Sequence, residues 1–291
     1  MWGCAHPINK IGGRGEPVED KAGYLMDNEE ENIRLDIKTD PEAVRTQAQW
    51  CGIRPGMRVL DAGCGAGITT AILTDMVQPG GTVVGVDYSK DRIKYAVENY
   101  GRDGKTQFHI RDLRRDLGDL GQFDIIWIRF VLEYNRVESP DIVKKLAELL
   151  KPGGYLCLLD LDYNCLNHYE LPPQMDRLLH RLMERLDREY NFDTYAGRKL
   201  YSYVYDADLE DIRMDLFAHH LFYGSIEDKD VFNWTKKAEM AASRLGDLFD
   251  DYPGGSKAFS EEFNRFLYDP RRFTYTTMML CKGRKPFSRL K

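Results

Sequence analysis

Short apolar runs alternate with amphipathic segments between about residues 40 and 162. The apolar runs are rich in β-branched residues and end at polar or glycine-rich stretches, so we interpret them as strands. Asp40-Pro41-Glu42 has the form of a helix start, and the helix is expected to end at Gly52. The predicted strands cover residues 57–62, 82–86, 107–110, 123–128 and 155–161. Strands that alternate with helices predict an α/β protein with a doubly wound, mainly parallel sheet.

The second half of the chain contains more helical pattern than such a sheet needs. We predict helices over 172–190 and from 197 to about 208, a sixth strand over 212–222, and a last strand over 273–281. Two further helical stretches are predicted between the last two strands. The expected organisation is a loop or lid segment at 1–40, one domain at 41–283 with helical insertions at about 164–208 and 226–268, and a basic tail at 284–291.

Composition narrows the class of protein. The 291 residues are 43% apolar and 30% charged, and the net charge of −6 argues against a nucleic-acid partner, which normally meets a basic face. Six cysteines include no C-x-x-C pair, which favours reduced thiols in the cytoplasm over disulfides or a metal site. No apolar run approaches the roughly 18 residues that span a bilayer. We expect a cytoplasmic enzyme without a metal, and a homodimer remains open.

A glycine-rich turn follows the first predicted strand. Its sequence is Asp61-Ala62-Gly63-Cys64-Gly65-Ala66-Gly67, and a helical pattern begins at Ile68. Glycine at such a turn permits positive φ and close approach of a ligand to the backbone. A dinucleotide fingerprint, G-x-G-x-x-G, would need a small residue where Ile68 stands. The turn therefore predicts a nucleotide-type ligand, and the mismatch at Ile68 weakens the case for NAD.

Several motifs in order resemble those of class I S-adenosylmethionine (SAM) methyltransferases. They are D-A-G-C-G-A-G, an acid at Asp87 twenty residues after Gly67, F-D-I-I with V-L-E-Y after it at 123–134, and L-K-P-G-G at 150–154. The resemblance covers about residues 50–162. Within this class, the sequence is most similar to the ubiquinone/menaquinone and other small-molecule methyltransferases. It implies a Rossmann-like seven-stranded sheet whose last strand is antiparallel. It also implies SAM as cofactor, with S-adenosylhomocysteine as its product, and a small-molecule substrate.

The resemblance also implies which residues bind the cofactor. Asp61 is expected to meet the ammonium, Asp87 the ribose hydroxyls, and Asp112 the adenine amino group. Tyr88 is expected to pack on the adenine, and an N-terminal lid would close over the methionine end. The implied set is Tyr24, Arg34, Asp61, Ala62, Gly63, Cys64, Gly65, Gly67, Asp87, Tyr88, Asp112, Leu113, Arg129 and Phe130.

The catalytic chemistry is less defined than the cofactor site. Methyl transfer from a sulfonium needs a general base only if the acceptor must lose a proton. Tyr163 and His168 are candidates, along with Asp162, His219 and His220, and the sequence does not choose among them. The polar residues from Asp160 to Tyr169 are either substrate contacts or a surface loop. Two alternatives stay open: an NAD(P)-dependent oxidoreductase, and a protein that binds SAM without methyl transfer.

Overall fold

The computed structural model describes residues 39–287, and strands and helices are numbered here within that part of the chain. Seven strands form one sheet in the order β3-β2-β1-β4-β5-β7-β6. The strands are β1 Arg58–Ala62, β2 Thr82–Asp87, β3 Thr106–Ile110, β4 Phe123–Arg129, β5 Leu150–Tyr169, β6 Glu210–Tyr223 and β7 Phe273–Arg284. Strands β1 to β5 pair in parallel, and β7 is antiparallel to both β5 and β6. This confirms the predicted doubly wound sheet with its antiparallel strand beside β5.

Eight α-helices connect or cover these strands within residues 39–287. They are α1 Pro41–Cys51, α2 Ile68–Met76, α3 Lys90–Tyr100, α4 Ser139–Glu148, α5 Pro173–Glu189, α6 Ala196–Asp206, α7 Asp228–Arg244 and α8 Gly255–Tyr268. Helix α1 begins and ends as its sequence predicts. The Asp40 carboxylate accepts hydrogen bonds from the N–H groups of Glu42 and Ala43, and Gly52 ends the helix at φ 93°. None of the described helices is both long and apolar enough to cross a bilayer.

The core lies on both faces of the sheet, and β4 shows why its sequence is continuously apolar. Ile126 and Ile128 belong to the cluster that includes α4 and α6, whereas Ile125 and Trp127 belong to the cluster that includes α1 and α2. Successive side chains of a strand point to opposite faces, so a central strand of a covered parallel sheet needs apolar residues at every position.

A third apolar cluster joins α5, α7 and α8 to one another. It contains Met175 and Leu178 of α5, Trp234 of α7, and Phe259 and Phe263 of α8. Partly buried residues at the far ends of β5 and β6 pack against it. We call these three helices the helical cap.

Strand β5 corrects the expectation for the segment after Asp162. We expected β5 to end at Leu161, followed by a polar loop and a helical insertion from residue 164. The strand instead continues to Tyr169 and pairs with the start of β7 after a register shift between Asp162 and Asn167. An interruption of the pairing allows a strand to bend and then continue. The helical part of the first insertion accordingly begins at Pro173.

The predicted lid residues Tyr24 and Arg34 lie outside the described residues.

The thiols of several cysteines are free and buried. These cysteines are Cys51, Cys64, Cys157 and Cys281. Burial raises the pKa of the Cys51 thiol well above its usual range.

Candidate active site at the carboxyl edge of the sheet

The glycine turn after β1 adopts a backbone that side chains would not tolerate. Gly63, Gly65 and Gly67 have φ values of 80°, 54° and 95°. A Cβ on Gly63 would lie 2.3 Å from Cγ2 of Val131, and one on Gly67 would lie 2.7 Å from Cβ of Ala96. The glycines therefore allow both the left-handed conformation and the close packing of this turn on α3 and on the segment after β4. Ala62 and Cys64, also predicted here, are buried.

Asp61 lies at the end of β1 and is almost fully buried, with 2% of its surface exposed. Oγ1 of Thr70 on α2 donates a hydrogen bond of 2.6 Å to its Oδ2 atom. Burial raises the pKa of Asp61 to about 7, although the Thr70 hydrogen bond and the positive charge of Arg129 act in the opposite direction. The site thus holds a carboxyl group that a cationic ligand would readily ionise.

Asp87 links the ends of β1 and β2. Its Oδ2 accepts the backbone N–H of Gly65 at 3.0 Å, and its Oδ1 accepts the N–H of Ser89 at 2.9 Å. Ser89 in turn caps α3, accepting the N–H of Arg92. Since each carboxylate oxygen can accept more than one hydrogen bond, these contacts leave Asp87 able to bind a hydroxyl group as well.

Arg129 and Phe130 end β4 at the same edge of the sheet. Phe130 has φ 58°, which is uncommon for a residue with a side chain. The Arg129 guanidinium lies 4.1 Å from the centre of the Phe130 ring, and its Nε donates to Oε1 of Gln47 at 3.1 Å. Burial lowers the pKa of Arg129 to about 10 despite the nearby charges of Asp61 and Asp160. Sequence reasoning missed Gln47, because nothing near it in the sequence marks it.

The predicted adenine contacts have mixed surroundings. Tyr88 is 49% exposed beside Asp87, whereas Leu113 is buried in the core. Asp112 accepts hydrogen bonds from Nε of Arg114 at both carboxylate oxygens, 2.9 and 3.1 Å away. Burial alone would raise the pKa of Asp112, but the hydrogen bonds and charge of Arg114 outweigh it and the pKa lies below its usual value. A ligand at Asp112 would share it with Arg114.

Tyr163 and His168, the first candidates for a base, lie on the extension of β5. Tyr163 stacks on Tyr195 at 5.1 Å, and within residues 39–287 its buried hydroxyl has no hydrogen-bond partner. Burial raises the pKa of Tyr163 to about 12, so this phenol is a poor base at neutral pH. Nδ1 of His168 lies 2.8 Å from Oγ1 of Thr274.

His219 on β6, another candidate base, contacts the carboxyl edge directly. Its ring centre is 4.8 Å from that of Phe130. The ring of His220 lies 4.2 Å from His219, and Trp234 of the helical cap lies 5.3 Å from His220. The structure therefore brings His219 next to Phe130.

Asp160 and Asp162, in the middle of β5, form hydrogen bonds to neighbouring segments of the chain. Asp160 is fully buried, and its Oδ2 accepts the backbone N–H groups of Leu132 and Glu133 at 2.9 and 3.1 Å. Burial, followed by the charge of Glu133, raises the pKa of Asp160 well above its usual range. Asp162 accepts two hydrogen bonds of 2.8 Å from the Arg198 guanidinium. Asp160 therefore fixes the turn after β4, and Asp162 fixes α6.

A family model described as a methyltransferase domain matches residues 53–219, more than half of the chain. The chain belongs to this methyltransferase family. The match confirms the class I SAM methyltransferase family predicted from the motifs, and it indicates SAM as the cofactor. The match begins before β1 and ends on β6, and so includes β1 to β4 and the turns that follow them.

Curated relatives match shorter parts of the chain. The chain is 32% identical over 114 residues to protein-L-isoaspartate O-methyltransferase of Triticum aestivum, covering 36% of this chain and 46% of that protein. It is 40% identical over 98 residues to magnesium-protoporphyrin O-methyltransferase of Rhodobacter capsulatus, covering 33% and 41%. The chain thus spans less than half the length of these methyltransferase relatives. A solved structure of a candidate methyltransferase from Bacillus halodurans C-125 has a TM-score of 0.55 at 19% identity over 84% of this chain and 99% of that one, which shows the shared fold.

Proposed function

We propose that this protein transfers a methyl group from SAM to an oxygen, nitrogen or carbon nucleophile of a small or medium organic molecule. The observation that carries the proposal is Asp87, whose carboxylate joins the glycine turn of β1 to the start of α3. This junction lies where the strand order reverses around β1, the position at which open α/β sheets bind their ligands.

The polar groups at this edge fit the proposed cofactor. Asp61 offers a carboxyl group for an ammonium, and Asp87 accepts from paired ribose hydroxyls. A ligand can approach the turn closely at Gly65, which has no side chain and donates its backbone N–H to Asp87. When bound, SAM supplies a methyl group that its sulfonium has already activated for transfer.

The chain's own residues then have to orient the acceptor and exclude water. These two effects supply most of the rate acceleration of such a transfer. Phe130, His219, His220 and Trp234 form a continuous series of ring contacts beside the cofactor edge. His219 is the base we propose for acceptors that must lose a proton, because its ring meets Phe130.

Calorimetric titration of the purified protein with SAM, S-adenosylhomocysteine and NAD tests the proposal. We expect saturable binding of the two sulfur compounds and none of NAD. Binding of NAD alone would replace the proposal with the oxidoreductase alternative. Binding of both sulfur compounds, with no methyl transfer to any member of an acceptor screen, would favour the alternative of a SAM-binding protein without transferase activity.

We further propose a cytoplasmic protein that acts on small molecules and not on nucleic acid. The net charge of −6 and the buried free thiols support this. The proposed organisation remains one domain at 41–283 with helical insertions. Size-exclusion chromatography with light scattering would decide between a monomer and a homodimer.

A further inference from the structure

Arg272, the residue just before β7, carries a buried guanidinium that has no hydrogen-bond partner in the described chain. It is 2% exposed, and within residues 39–287 none of its three guanidinium nitrogens has a hydrogen-bond partner. Its backbone N–H donates to the carbonyl oxygen of Asp269 at 3.1 Å, which fixes where the side chain leaves the backbone.

The neighbouring arginine, Arg271, has different surroundings from Arg272. Arg271 is exposed, and its Nη2 lies 3.1 Å from Oε2 of Glu170. A guanidinium keeps its proton in proteins, so a buried one without hydrogen bonds carries a large desolvation penalty. Burial lowers the pKa of Arg272, and the charge of Asp269 only partly opposes this. An anionic ligand would remove the penalty.

Aromatic rings connect Arg272 to the proposed methyl-transfer site. Its guanidinium carbon lies 6.0 Å from the centre of the Phe222 ring on β6. Phe222 lies 5.5 Å from His220, His220 lies 4.2 Å from His219, and His219 lies 4.8 Å from Phe130. These contacts run from the buried cation to the end of β4.

The same face of β7 carries a second polar atom without a partner in the described chain. Burial alternates along the start of β7, and Arg272, Thr274 and Thr276 are all buried. Thr274 is bonded to His168, whereas Oγ1 of Thr276 has no hydrogen-bond partner among residues 39–287. Thr276 is paired with His220 in the sheet, so it lies between Arg272 and the cofactor edge.

We propose that Arg272 binds the oxyanion of an aromatic acid, which makes the methyl acceptor a planar molecule with a carboxylate or phosphate group. The guanidinium fork matches either group with two parallel hydrogen bonds. The rings from Phe222 to Phe130 would contact the body of the acid, and Thr276 would meet a polar group along it. This inference rests on the proposed function, because it names the substrate class of the same site.

The test compares acids with their uncharged amides in the protein saturated with S-adenosylhomocysteine. The probes are benzoate with benzamide and indole-3-acetate with indole-3-acetamide, and phenyl phosphate distinguishes the phosphate source from the carboxylate. Dissociation constants come from calorimetry on the wild type and on Arg272→Gln, Arg272→Lys and Arg271→Gln. We expect the wild type and Arg271→Gln to bind at least one acid at least about tenfold more tightly than they bind its amide. Arg272→Gln should lose that preference, and Arg272→Lys should keep part of it.

An equal affinity for acids and amides in the wild type, or a preference that survives in Arg272→Gln, would overturn the inference. Thermal unfolding of the ligand-free proteins gives a second readout. Arg272→Gln should melt at or above the wild-type temperature, because it removes an unpaired buried charge. If Arg272→Gln does not fold, the wild type and Arg272→Lys still decide the matter through their acid-over-amide ratios. If S-adenosylhomocysteine does not bind, the proposed function fails, whereas the same titrations without it still test Arg272.

Discussion

Replacing Asp61 with asparagine should remove the pH dependence of cofactor binding. Asp61 is 2% exposed, and burial raises its pKa from 3.8 to about 7. That difference corresponds to roughly 4 kcal/mol against the charged form in the ligand-free protein. An ammonium group would bind the ionised carboxylate, so the observed affinity should follow the ionised fraction of Asp61.

The expected size of the effect follows from that fraction. With a pKa of about 7, roughly three carboxyl groups in four are ionised at pH 7.5 and about one in thirty at pH 5.5. The affinity for S-adenosylhomocysteine should therefore fall about 15- to 25-fold between these two pH values. The ligand's own α-ammonium keeps its proton to a higher pH than the Asp61 carboxyl does, so the affinity should level off above the pKa of Asp61 before it falls again.

Calorimetry at several pH values measures this directly. At pH 6, titrations in buffers of different ionisation enthalpy should show that binding releases about 0.9 proton from Asp61. Asp61→Asn should bind weakly, with a nearly flat profile over the same range. Asp75→Asn, at a half-exposed acid paired with Arg102, should keep the wild-type profile. A flat wild-type profile, or a wild-type slope in Asp61→Asn, would refute the role of Asp61 as the ammonium partner.

Three further substitutions, with Gly52→Ala as a control, test the second strand, the turn and the helical cap. Asp87→Ala should weaken S-adenosylhomocysteine binding by about 1–3 kcal/mol in calorimetry, and an affinity within twofold of wild type would contradict its role. Gly67→Ala should lower the urea unfolding free energy by about 2 kcal/mol or more, because its Cβ would meet Ala96. Gly52→Ala, at a similar φ but with no atom within 4 Å of the new Cβ, should cost about 1–2 kcal/mol, and equal losses would discount the contact. Phe259→Ala should cost about 3–5 kcal/mol in the same assay if the cap is a packed core.

The parallel half of the sheet was predictable because its signals are local. Strands β1, β2 and β4 are mostly apolar, and the turns around them carry glycine, proline or a helix cap within a few residues. The extension of β5 was not predictable in the same way. The segment to Tyr169 has little β-branched character, and it is a strand because it pairs with Phe273 and its neighbours more than a hundred positions away. Such long-range pairing overrides local preference.

The residues of the candidate site likewise differ in whether the sequence alone could predict their roles. Asp61 and Asp87 could be proposed from the family resemblance and the spacing of its motifs, since a strand, a turn and a helix fix their positions. The surroundings of Asp160 could not, because its acceptor role depends on the backbone of Leu132 and Glu133. Sequence reasoning therefore left Asp160 open between a substrate contact and a surface loop, whereas its buried carboxylate holds the turn after β4.

This division explains why the family resemblance predicts a cofactor better than an acceptor. The proposed cofactor site lies at consecutive elements between β1 and β4, whose motifs resemble those of class I methyltransferases. The proposed acceptor site lies where β5, β6 and β7 extend past that edge under the helical cap, and no short motif describes it. Even so, one signal for Arg272 was present in the sequence. Strand β7 begins at Phe273, and successive side chains of a strand point to opposite faces. Continuing this alternation back from the strand puts Arg272 on the same face as Thr274 and Thr276, and Arg271 on the opposite face. The specificity of such an enzyme is therefore best sought by applying strand alternation to its C-terminal third, after the fold has fixed where each strand begins.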